Sequence, residues 1–327
     1  MRTLAAAVAV AMIGLASSNA ASADEVSGEA LVDSLNGIFG KHAGARGSHA
    51  KGQCVKGRFT PTPEAAALSK APLFAARAPL LGRFSFGGGD PKAGEKIRSS
   101  RGLAMRFDPD GKSPVDFVQL SAPIFFAKTA EQALAFLQVR AGAGLGKGDV
   151  EKIKAFSAAN PNTVKQTVFI DSKPIPASYA GLNYWGIHAF IAENAKGETT
   201  TIKFKSIPLA GELELTDEEA KAKPDNFFTA DLGDRLAKAP IGFDLVAIIG
   251  QKGDPTNDPS IDWPEADRKK VKLGKIEITA LEDNATCDAT TFDPNNLAAG
   301  LAGAPDDTVL PVRSTSYAVS LSRRAAP

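Results

Sequence analysis

Residues Leu103-Ala-Met-Arg-Phe107 run directly into Asp108-Pro-Asp-Gly111, and a second run, Asp116-Phe-Val-Gln-Leu120, follows. Two short runs rich in bulky apolar side chains, separated by a turn carrying Asp, Pro and Gly, predict a hairpin of antiparallel strands. Outward from it, Thr167–Ile170, His188–Ala192, Thr201–Ile207, Phe243–Gly250 and Lys275–Leu281 read as further strands, and Asn194-Ala-Lys-Gly197 as another turn. Leu31, Leu35, Ile38 and Phe39 fall at i, i+4, i+7 and i+8, the stripe of a helix, and helical patterns also cover Glu131–Val139 and Val150–Ala158. Pro61, Pro63, Pro72 and Pro79 mark a linking stretch. Strands in succession, interrupted by a few helices, predict an α+β fold: an antiparallel sheet or barrel with inserted and flanking helices, rather than alternating βα units.

Residues 1–23 read as a secretory signal peptide. Arg2 gives a basic start, Leu4 to Leu15 is an alanine-rich apolar run, and Ala21-Ser-Ala23 is a small-x-small cleavage site. That run is shorter than the ~20 apolar residues of a membrane span. Export to a periplasm is therefore expected, with residues 24–327 as a single domain. Beyond Arg2 the chain balances 37 acidic residues with 37 basic ones, without a basic run long enough to form a patch. Neither nucleic acid nor a membrane is expected as a partner, and a monomer or small homo-oligomer is expected. The two cysteines, Cys54 and Cys287, are permitted a disulfide in an oxidising compartment, but buried free thiols fit them as well.

The C-terminal segment carries Arg313-Ser-Thr-Ser-Tyr317 and then Arg323-Arg324. On a helix, Arg313 and Tyr317 share one face a turn apart, and Arg324 lies two turns beyond Tyr317. A phenol ionises near ~10, so it ligates a metal at neutral pH only with help; a nearby guanidinium supplies roughly 1–3 units of it. Tyrosinate is one of the known protein ligands of haem iron. Near the other end stands Arg46-Gly-Ser-His-Ala-Lys-Gly52, with one of only three histidines, His42, His49 and His188. Three histidines so spaced make a poor structural zinc site.

Taken together, these segments resemble haem catalases. Arg46-x-x-His49-Ala-Lys-Gly52 is similar to the family's distal histidine segment. Arg83-Phe-Ser85, Ser100-Arg-Gly-Leu-Ala-Met-Arg-Phe107, Pro123-Ile-Phe-Phe126, Phe292-Asp-Pro-Asn-Asn-Leu297 and Arg313-x-x-x-Tyr317 resemble further family blocks, in the family's order. The resemblance covers about Arg46 to Arg324 and points to the small catalase-related peroxidases. It implies an eight-stranded antiparallel β-barrel with haem b held between barrel and helices, and the core domain without a C-terminal helical region. By the same resemblance, Tyr317 ligates the iron and Arg313 favours its phenolate. His49 shuttles the peroxide proton, and Ser85 fixes the imidazole. Arg46, Arg83 and Arg324 bind the haem propionates as guanidinium forks. Phe125 and Phe126 wall the distal pocket, with Phe136 as a neighbour. His42 and His188 take no such role; a core or pocket-wall position is expected for His188.

One departure stands out. The family normally places a catalytic asparagine five residues before its Phe-Phe pair, and here that residue is Leu120. Losing one preorganised donor in other enzymes costs on the order of 10²–10³ in kcat. Gln119 and Ser121, one residue away on a strand, would point to the opposite face. The expectation is a peroxidase that reduces hydrogen peroxide or small organic peroxides with small organic donors, and only weakly dismutates peroxide. Two other readings stay open: a fatty-acid hydroperoxide isomerase or reductase on the same fold, and a haem carrier without turnover. No nicotinamide nucleotide is expected.

Overall fold

The computed structural model describes residues 26–326. The expected signal segment lies outside the described residues. The hairpin is present: Arg101–Phe107 pairs antiparallel with Val115–Leu120. The turn between them is closed by Gly111 N–H donating to the Asp108 carbonyl at 3.0 Å. Asp108 itself is left-handed (φ 53°), and a Cβ at Gly111 would overlap the Asp108 carboxylate. With glycine at 111 the Asp108 carboxylate can fold back over the turn.

Eight strands close into an antiparallel barrel: Ile241–Ile249, Lys270–Leu281, Gly52–Pro61, Ala78–Phe86, Arg101–Phe107, Val115–Leu120, Tyr184–Trp185 and Thr199–Pro208, which pairs back onto Ile241–Ile249. Closure removes the unpaired edges that an open sheet would present. Phe190–Glu193 and Leu301–Gly303 extend one margin beside Thr199–Pro208. Side chains alternate across the wall. Phe84, Leu103, Phe117, Tyr184, Phe204 and Phe243 fill the interior, with Phe117 stacked on Phe204 at 4.1 Å between centroids. Gln119 also faces inward, where its Oε1 accepts from the Ser206 hydroxyl at 2.6 Å. It is therefore unavailable outside the barrel, as strand parity predicts.

Directly paired residues share a face of the sheet. Ser85 pairs with Gly102, Gly102 with Leu120, Leu120 with Trp185, and Trp185 with Lys205. These five residues form one outward-facing row across the wall.

Helices cover that wall. Gly28–Phe39 crosses the C-terminal helix Val309–Ala325 so closely that a Cβ at Gly28 would lie 2.4 Å from the Thr315 backbone. Ala130–Val139 and Val150–Ala159 form, as expected. None of the described helices is long and apolar enough to cross a membrane.

Two expectations need correction. Thr167–Ile170 is not a strand but part of the helix Lys165–Asp171, which continues the 3₁₀ turn Pro161–Val164. Its Val168 is 62% exposed, so the β-branched run packs no sheet and local propensity yields to context. The stretch taken as a linker contains the end of one barrel strand at Pro61 and the start of another at Ala78–Pro79. Proline is tolerated there because it sits at strand ends. Cys54 and Cys287, left open above, form a disulfide.

Candidate active site

His49 stands where the chain enters the first barrel strand. Its backbone is left-handed (φ 52°), which for a β-carbon-bearing residue is strained and is kept only by its surroundings. Arg83 provides them: its two terminal nitrogens donate to the carbonyls of His49 and Ala50, each at 2.9 Å. Ala50 N–H in turn donates to Gly88 O at 3.0 Å. The imidazole Nδ1 lies 2.9 Å from Ser85 Oγ. A Cβ at Gly102 would sit 2.6 Å from that oxygen and 3.1 Å from Nδ1. Glycine at 102 therefore clears the seat of the imidazole. Leu120 is the next residue of the same row, and its apolar side chain offers no hydrogen bond. Burial, followed by the positive charges of Arg83, Arg313 and Arg46, pushes the His49 imidazole down to about 4.

The C-terminal helix supplies the opposite set of groups. Tyr317 Oη accepts from Arg313 Nε at 3.0 Å and from Arg313 Nη2. The third nitrogen, Arg313 Nη1, is buried without a hydrogen-bond partner. At the start of this helix Asp307 Oδ1 accepts from the backbone of Val309 (2.8 Å) and Leu310 (3.0 Å), capping it. The other Asp307 oxygen meets His188 Nδ1 at 2.6 Å, with both side chains buried. Burial pushes His188 down to about 4 against the pull of Asp307, and the positive charges of Arg313 and Lys203 lower it further. A neutral imidazole donating Nδ1–H to an ionised Asp307 follows.

His188 is thus buried, as expected, but it belongs to an organised pair that sequence reasoning missed. A signal for its partner was available: Asp307 stands just before the apolar Val309-Leu310, a helix-start pattern.

Arg46 and Arg324 converge on one short stretch. Arg46 donates to Asp288 Oδ1 (3.0 Å), Cys287 O (2.6 Å) and Thr290 O (3.2 Å). Arg324 donates to Asp288 O (2.8 Å) and Thr290 O (3.1 Å). Burial and then the charge of Arg46 hold Arg83 down to about 9 and Arg324 down to about 10, with Asp288 opposing both. Three guanidiniums around one carboxylate leave an excess of positive charge. Tyr317 lies near enough for its charge to act on Arg46, and Gly47 N–H reaches Ser320 Oγ on the C-terminal helix at 3.4 Å. Phenol, imidazole and guanidiniums therefore border one region between the barrel wall and that helix.

Phe125 and Phe126 lie against each other, ring centroids 4.0 Å apart, and Phe126 stacks on Phe136 at 4.4 Å. Together they pack against Gly28–Phe39 and Val312. His42 has its Nε2 3.1 Å from Phe39 O, outside this region. The Phe292–Leu297 block proves to be an anchor. Arg106, paired bidentately with Asp116, also donates to Thr291 O, and Asp116 accepts from Asp293 N–H.

The catalase family matches residues 29–327. The chain belongs to the catalase family. A catalase-related peroxidase of Synechococcus elongatus is 36% identical, over 99% of this chain and 94% of that protein. A second, from Mycolicibacterium paratuberculosis, is 32% identical over 90% of this chain and 93% of its own length. Rat catalase is 26% identical over 79% of this chain but only 52% of itself. Among solved structures, a bacterial catalase superposes with a TM-score of 0.77 at 23% identity, covering 88% of this chain. The present chain spans 58% of that structure's length. Membership of the catalase family implies a haem cofactor.

The residues present fit such a group. A phenol oxygen facing two N–H donors suits an anionic metal ligand. The surplus of guanidinium charge suits a group bearing two carboxylates, and an imidazole kept neutral stands on the barrel side.

Proposed function

We propose that this chain is an exported haem b peroxidase that reduces hydrogen peroxide or small organic peroxides at the expense of small organic donors, with weak dismutation. Tyr317 would ligate the iron as a phenolate, its negative charge held by Arg313. Arg46, Arg83 and Arg324 would receive the propionates. Bound there, haem supplies the redox centre for peroxide reduction.

The chain's own contribution is proton handling and shielding. With Nδ1–H donating to Ser85 Oγ, His49 Nε2 keeps its lone pair. It can take the proton from one peroxide oxygen and return it to the leaving oxygen. Its lowered pKa keeps this base neutral at ordinary pH. Phe125 and Phe126 exclude water from the approach. Each turnover takes one electron and one proton from each of two donor molecules and releases two waters from hydrogen peroxide. Leu120 offers no hydrogen bond to a second peroxide, which favours organic donors over dismutation.

The observation that carries the reading is the pairing of an imidazole seated on Ser85 with an arginine-faced phenol across one region. The test is reconstitution of the full chain with ferric haem. A tyrosinate-type ferric spectrum is expected, with faster oxidation of a phenolic donor than evolution of dioxygen. Failure to bind haem, or dioxygen evolution matching a full catalase, would overturn it.

A further inference from the structure

The Cys54–Cys287 disulfide lies directly behind the guanidinium cluster. Cys287 belongs to the one-turn helix Asn284–Asp288, whose last carbonyls have no donors within the helix. Arg46 supplies one to Cys287 O itself, and Arg324 supplies one to Asp288 O. Arg83, the third arginine, is the direct ladder partner of Cys54 and shares its face of the sheet. Each arginine thus touches the disulfide's own residues or the residue beside them. Hydrogen bonds hold the segment entering the short helix and its first residue, with Glu282 N–H donating to Cys54 O at 2.9 Å and Cys54 N–H to Asn284 Oδ1 at 2.7 Å. The disulfide ties its C-terminal end.

Three like charges gathered around one carboxylate repel each other and drift apart unless their acceptors are fixed. We propose that the Cys54–Cys287 disulfide is a positioning device for the carboxylate end of the cofactor site: it fixes the 287–290 acceptors of Arg46 and Arg324 relative to Arg83, which stands on the strand beside Cys54. This rests on the haem reading above. With the bond intact, a dicarboxylate meets all three guanidiniums at once. With it broken, the 287–290 stretch shifts, and the guanidiniums bound to it shift too. General stabilisation of the fold is the rival account, since a cross-link over 233 residues restricts the unfolded chain as well.

The two accounts differ in what they do to a porphyrin lacking carboxylates. The full chain is loaded with ferric protoporphyrin IX or with its dimethyl ester, and release to excess apomyoglobin is timed. The wild-type protein should hold the diacid longer than the diester. In Cys54→Ala/Cys287→Ala the diacid should leave about tenfold faster, the worth of one charge-assisted hydrogen bond, while the diester stays within about twofold. Equal acceleration of both, no acceleration of either, or a wild-type protein indifferent to esterification would overturn the proposal. Should the double variant fail to fold, the same two rates are read on folded wild-type protein reduced with a phosphine and scored against titrated thiols, with the same ratio deciding. A wild-type chain that retains neither porphyrin would instead sink the haem reading, before any variant is made.

Discussion

The two faces of the site are furnished unequally. On the C-terminal helix, Tyr317 takes two hydrogen bonds from Arg313, and the helix start is tied to a buried His188–Asp307 pair. On the barrel wall, one imidazole rests on one hydroxyl, and the neighbouring position in the row is Leu120. The face that would hold the metal is thus reinforced by charge, while the face proposed to meet peroxide carries an apolar side chain beside its imidazole. On the proposed reading, retention of the cofactor and speed of dismutation depend on different faces.

The most severe way to break this contrast is to remove the phenol. Tyr317→Phe should abolish stoichiometric haem binding and all peroxide turnover, read from the Soret band after reconstitution; retained turnover would place the ligand elsewhere. His49→Ala should keep its haem and lose roughly 10²–10⁴-fold in kcat/KM for peroxide by stopped flow. Equal loss of haem would mean that the two faces are not independent. Leu120→Asn sharpens the contrast in the other direction. Dioxygen evolution, followed at an oxygen electrode, should rise by up to about 10²-fold while oxidation of a phenolic donor gains little.

The smallest effect is in pH. His49 turnover should hold from about pH 5 upward and fall as pH drops through about 4, where the imidazole takes a proton. Stability follows the same sign. His49 and His188 both titrate near 4 in the folded chain against an ordinary 6.5, so the unfolded chain binds protons first. Thermal unfolding should move to lower temperature as pH falls from 6.5 toward 4, and His188→Asn should flatten that dependence.

The sequence exposed the barrel unevenly, for physical reasons. Thr199–Pro208 was legible because polar and apolar residues alternate along it, and Val115–Leu120 because its bulky residues follow a turn carrying Asp, Pro and Gly. Ala78–Phe86 was not: its last five residues are all buried, since other segments cover its outer face, and alternation disappears. Tyr184–Trp185 is two residues long, below any periodicity. In the site, His49, Ser85 and Tyr317 were recognisable only as members of an ordered series of blocks. The His188–Asp307 pair joins residues 119 apart, and its acid looks locally like a helix cap, which it also is. No short-range pattern connects such partners.

The outward row from Ser85 through Gly102, Leu120 and Trp185 to Lys205 has a consequence for how such a protein changes over generations. Pleat parity assigns these positions to the reacting side and their immediate neighbours to the packed interior, so mutation can sample new chemistry on one without unsettling the other. At 102 the choice is restricted, because a Cβ would press on Ser85 Oγ at 2.6 Å and crowd the imidazole at 3.1 Å. At 120 no such contact restricts the side chain, and on the function proposed above a change there would alter which reductant is used.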